Sequence, residues 1–92
     1  MHRISQKDLE VIVDRINHMT NQPIESWVKG KGSQVGNYHL SYAYGGVALH
    51  QMSNKQGGVR DIFGYHMPKR ELFDRMQAYL SGFRDAEESI NV

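Results

Sequence analysis

A chain of 92 residues with 39% hydrophobic content supports one domain and one core, with little interior room for a buried catalytic centre. A mean hydropathy of −0.61 and the lack of any apolar run near the roughly 18–20 residues a bilayer requires exclude a membrane-spanning helix. The absence of cysteine excludes disulfides, thiolate metal sites and thiol nucleophiles.

The formal charge of +1 conceals a segregation. Residues 1–23 are balanced. The middle carries Lys29, Lys31, Lys55, Arg60, Lys69 and Arg70 against Glu25 and Asp61, whereas residues 71–92 set Arg75 and Arg84 against Glu71, Asp74, Asp85, Glu87 and Glu88. A basic middle with an acidic end is first a solvated surface and second a face for an anionic partner. Duplex DNA binders carry a larger basic excess.

In chain order, Met1-His-Arg-Ile-Ser5 has no apolar signal-peptide core and leads directly into a helix. Ser5 and Asp8 have capping-box spacing, and Ile4 and Leu9 that of a hydrophobic staple. Leu9, Ile12, Val13, Ile16 and Met19 form one apolar stripe. The helix should stop near Thr20 or Asn21, because Gln22 precedes Pro23. Residues 24–28 read as a short strand holding the only tryptophan, Trp27, and residues 29–33 as a flexible Gly/Lys loop.

Residues 38–53 read as a β-hairpin turning at Gly45-Gly46, since a two-residue primed turn demands positive φ. That turn pairs Tyr44 with Val47, Tyr42 with Leu49, Leu40 with Gln51, and sets His50 opposite Ser41. Alternation then puts Tyr38, Leu40, Tyr42, Tyr44, Val47 and Leu49 on a core face and His39, Ser41, Ala43, Ala48, His50 and Met52 on the other. A turn over residues 54–58 leads to a strand over 59–65, with Gly64 marking a bulge or an early end. Pro68 opens a second helix whose face is Leu72, Phe73, Met76, Tyr79, Leu80 and Phe83, with Gly82 as its C-cap and residues 84–92 as a frayed acidic tail. The expected fold is a single α+β domain: an antiparallel meander of three to four strands with an N-terminal and a C-terminal helix packed on one face.

The functional candidates follow from these faces. His39, Ser41 and His50 make a polar face that could receive a partner protein, and Trp27 with Lys29 and Lys31 makes a second anchor. A metal-dependent reading would add His66 and Asp61, but the spacing has no metal signature, and a serine–histidine pair would need an orienting carboxylate and an oxyanion hole. No catalytic, metal or cofactor residue is assigned, and an enzyme is not expected. The alternative is single-stranded nucleic-acid binding through Lys29, Lys31, Lys55, Arg60, Lys69 and Arg70 with exposed tyrosines stacking on bases. Gly30, Gly32 and Gly36 match neither a P-loop nor a dinucleotide fingerprint.

The stretches GNYHLSYAYGGVALH over 36–50 and PKRELFDRMQAYLSG over 68–82, with the Gly57-Gly58-Val59 turn, resemble small uncharacterised proteins encoded by tailed bacteriophages and prophages. The resemblance covers residues 4–83. It transfers no activity, cofactor or catalytic residue. It implies a bacterial cytoplasm and an accessory protein that binds and modulates a host protein. A homodimer is compatible with this, and a membrane partner is not expected.

Overall fold

The structure is a computed structural model describing residues 3–90. Met1, His2, Asn91 and Val92, and the parts of the N-terminal and tail readings that fall on them, lie outside the described residues.

The chain runs α1 (Gln6–Met19), β1 (Trp27–Val28), β2 (Gly32–Ser33), β3 (Tyr38–Ala43), β4 (Gly46–Met52), β5 (Val59–Asp61) and α2 (Lys69–Ile90). It is a small α+β globule with a two-stranded sheet β1-β2 and a three-stranded antiparallel sheet ordered β3-β4-β5. Both helices cover the same face of the larger sheet. Leu9, Ile12 and Ile16 of α1 and Leu72, Met76 and Leu80 of α2 share one core with Tyr38, Val47 and Leu49. Among the described residues no helix is long and apolar enough to cross a membrane.

The first helix forms as its sequence predicts. Ser5 Oγ accepts the Asp8 N–H at 3.1 Å and Asp8 Oδ2 accepts the Ser5 N–H at 2.9 Å, completing the capping box. Such a cap stabilises by about 1 kcal/mol. Asn21 then takes a left-handed φ of 57° and ends the helix before Pro23.

Asn17 is fully buried on α1. Its Nδ2 donates to the Tyr38 carbonyl at 3.0 Å and its Oδ1 accepts the Tyr38 N–H at 2.8 Å. β3 is an edge strand, so Tyr38 would otherwise bury two unpaired backbone groups, each costing roughly 1–3 kcal/mol. One side-chain amide takes the place of a neighbouring strand there.

Three expectations are corrected. The Gly/Lys loop is not shapeless: residues 29–31 form the turn of a small hairpin in which Trp27 pairs with Ser33 and Val28 with Gly32. The strand expected over 24–28 accordingly shrinks to two residues. The second helix does not cap at Gly82: α2 continues to Ile90, so residues 84–90 are helical. An interior glycine costs about 1 kcal/mol against alanine, and a following stretch of Arg, Ala and Glu makes that up. The β-hairpin turns one residue earlier than its glycine pair suggests. The central turn residues are Tyr44 and Gly45, with φ of 55° and 73°. Gly46 enters β4 instead, because a Cβ there would stand 3.0 Å from the backbone N and O of Met67.

That last correction changes partners without exchanging faces. Tyr42 pairs with Val47, Leu40 with Leu49, Tyr38 with Gln51 and His39 with His50. Moving the turn centre by one residue moves every partner by two, and side-chain orientation has a period of two. Tyr44 alone leaves the expected core face and is 97% exposed.

Candidate functional site

The sheet face opposite the helices carries a row of imidazoles. His39 and His50 are directly paired across β3 and β4, with ring centroids 5.9 Å apart and an edge-to-face angle of 79°. His50 meets His66 at 5.8 Å in a second edge-to-face contact, and His66 meets Tyr44 at 5.6 Å. Ser41 faces Ala48 across the ladder, not His50 as expected, and its Oγ lies 3.2 Å from His66 Nε2.

His66 reaches this face because the chain bulges after β5. Asp61 Oδ1 accepts the N–H groups of Phe63 and Gly64 at 3.3 and 3.0 Å, which ends the strand. The strand thus stops at Asp61 instead of running to residue 65. Residues 63–66 loop out before Met67 returns to pair with Val47, their backbone groups exchanging hydrogen bonds of 2.8 and 2.9 Å. The other Asp61 oxygen, Oδ2, sits 3.7 Å from His50 Nε2 on the facing strand.

Each end of the row is fixed differently. Asn37 is fully buried; its Nδ2 donates to the Pro23 carbonyl at 2.8 Å and its Oδ1 lies 3.1 Å from His39 Nδ1. Burial holds the His39 imidazole below its usual range, the neighbouring His50 adds to this, and the contact with Asn37 opposes it. At the far end Tyr44 is nearly fully exposed in the left-handed region, a conformation that costs a bulky residue about 1 kcal/mol.

The imidazoles form a row and not a cage. Among the described residues no three His, Cys, Asp or Glu side chains converge as metal donors. Nor do serine, histidine and aspartate act in series. Ser41 contacts His66, whereas Asp61 faces His50, so the carboxylate does not orient the imidazole beside the hydroxyl. The arrangement offers donors, acceptors and aromatic edges to an approaching surface.

The other anticipated contact residues lie elsewhere. Trp27, 59% exposed, and Lys29 and Lys31 belong to the β1-β2 hairpin. Lys31 shares a shallow groove with Lys55, beyond the Met52 end of β4. Arg60, at the same end, donates to Gln51 Oε1 at 2.8 Å. Lys69 lies by the Tyr44-Gly45 turn at the opposite end, and Arg70 next to it covers the Phe73 ring at 5.8 Å. Seven residues of β4, about 20 Å, separate Lys31, Lys55 and Arg60 from Lys69 and Arg70.

Sequence reasoning missed Asn37, Asn17 and the turn role of Tyr44. Asn17 had a signal: a polar residue four positions after Val13 on the apolar stripe of α1. Asn37 had none beyond its place before a strand. No protein-family model, no curated protein and no solved structure matches this chain.

Proposed function

We propose that this chain is a non-enzymatic binding module, of the kind tailed bacteriophages encode, that docks on a protein of the bacterial host and modulates it through its imidazole face. The observation that carries this reading is the row from His39 through His50 and His66 to Tyr44, on the sheet face that the helices leave open. Tyr44 supports it most directly. An aromatic residue held at positive φ and exposed over 97% of its surface packs only by its edge contact with His66, and exposed aromatics are typical anchors of protein interfaces. Trp27, Lys29 and Lys31 provide a second contact on the small hairpin.

The test is capture from bacterial lysate with a tagged protein, with and without nuclease. The native chain retains one stoichiometric protein after nuclease, and H39A/H50A loses it while keeping its melting temperature. Equal retention by the double variant would overturn the site. Capture of nucleic acid alone, lost with nuclease, would replace the reading with single-strand binding.

A further inference from the structure

β3 leaves one edge of its sheet open, and the hydrogen-bond pattern says where. In an antiparallel ladder, successive residues direct their backbone groups alternately toward the partner strand and away from it. Tyr38 turns its N–H and C=O outward, since both are taken by Asn17. Leu40 and Tyr42 therefore also turn theirs outward, and no backbone or side-chain group among the described residues meets them. Asn17 closes the edge at Tyr38, and the chain turns away at Tyr44. What remains is a two-residue template with two donors and two acceptors.

This edge forms one wall of a groove. The opposite wall is α1, contributing Glu10 and Asp14, both exposed, and Ile24 stands 47% exposed on the rim. Burial pushes the Tyr42 hydroxyl above its usual range and the Glu10 carboxylate pushes it further, which places that negative charge over the edge. Among the described residues no lysine or arginine lines the groove. The β3 sequence Tyr-His-Leu-Ser-Tyr-Ala also contains neither proline nor lysine, the usual devices by which proteins blunt an open edge.

We propose that this groove binds an extended peptide segment as a fourth strand, antiparallel or parallel to β3, with a lysine or arginine of the peptide facing Glu10 and Asp14. This is strand addition between a sheet edge and a helix. Backbone bonds to Leu40 and Tyr42 hold the segment, and the carboxylates select its charge. The same charges argue against a second copy of this chain as occupant. Pairing two β3 edges about a dyad puts both α1 helices on one face of the joined sheet, Glu10 and Asp14 of one opposite those of the other. The groove meets the imidazole row only at His39; His50 and His66 lie outside it.

The probe is fluorescein-labelled acetyl-Val-Lys-Val-Lys-Val-Lys-amide, read by fluorescence anisotropy and by amide chemical shifts and exchange on the isotope-labelled full chain. The expected result is saturable binding that protects the Leu40 and Tyr42 amides. Binding should weaken at least tenfold in E10K/D14K, whose substitutions sit at exposed positions, and be lost when alternate peptide nitrogens are methylated. The valine–glutamate counterpart should not bind. Equal affinity of the methylated peptide would show charge attraction alone and overturn strand addition, as would unperturbed Leu40 and Tyr42 amides. Protection of both amides without peptide, in a protein that sediments as a dimer, would assign the edge to a second copy and overturn the proposal equally.

Discussion

Replacing Asn17 with alanine is the sharpest test of how this fold is held together. The substitution removes two hydrogen bonds, of 3.0 and 2.8 Å, that tie α1 to β3. It also leaves the Tyr38 N–H and C=O unpaired in a residue only 4% exposed. A typical bond contributes about 1 kcal/mol, and an orphaned buried group costs roughly 1–3 kcal/mol, while exchanging Asn for Ala inside a helix returns up to about 0.7 kcal/mol. The net expectation is a loss of about 2–4 kcal/mol. For a chain this size that lowers the melting temperature by roughly 10–20 °C. Urea denaturation followed by circular dichroism measures it. N17L separates the causes: it fills the volume but supplies no polar group, so it should be as damaging as N17A, and the Tyr38 amide should lose exchange protection in both. A loss below about 0.5 kcal/mol in N17A, or recovery in N17L, would refute the strand-mimic argument and leave only a packing role.

Three further outcomes are expected. Y44N should stabilise the fold by about 0.5–1 kcal/mol, because asparagine tolerates the left-handed turn position and the gain exceeds the lost ring contact with His66; unchanged or lower stability in urea would show that no strain is held at the turn. G82A should stabilise by about 0.5–1 kcal/mol, since the residue lies inside α2 and an added Cβ would meet nothing within 4 Å; a thermal melt showing destabilisation would mean that the helix ends there after all. Stability should also fall on acidification. The unfolded His39 imidazole titrates near its ordinary value of 6.5 and the folded one lower, so the unfolded chain binds more protons in between. The loss should begin as pH drops through 6.5 and level off below the folded value, and H39Q should flatten it; an identical pH profile in H39Q would remove His39 as its source.

Both helices, the hairpin and its two faces were legible in the sequence because they follow from periodicity and capping, which are local. The apolar stripe of α1 and the Ser5–Asp8 box specify that helix without reference to anything else. What the sequence concealed was set at a distance. Gly45-Gly46 reads as a turn pair, yet Gly46 is needed under the Met67 backbone, twenty-one residues later in the chain, and Tyr44 takes the strained position instead. The same return of the chain carries His66 to Ser41 and builds most of the candidate site. Face assignment survived because the turn slipped by one residue, shifting each partner by two; a half-step slip would have put His39 and His50 on opposite faces, one of them in the core. Gly82 misled for the opposite reason. One glycine costs about 1 kcal/mol, and the helix-forming Arg, Ala and Glu that follow it at exposed positions carry α2 on to Ile90.

The geometry of β3 lets its surfaces act separately, and this can be tested through additivity. Its side chains alternate: Tyr38, Leu40 and Tyr42 point toward the helices, and His39 and Ser41 point to the open face. Its free backbone groups lie in the plane of the sheet, at right angles to both sets. A strand added at Leu40 and Tyr42 therefore extends the sheet sideways and leaves His50, His66 and Tyr44 uncovered, with His39 alone bordering the groove. H50A/H66A, whose imidazoles do not line the groove, should keep its affinity for the valine–lysine peptide within about twofold, and E10K/D14K should keep host-protein capture, because changes without shared contacts combine additively. If instead the imidazole substitutions weaken the peptide as strongly as the carboxylate reversals do, the peptide lies across the face and not along the edge.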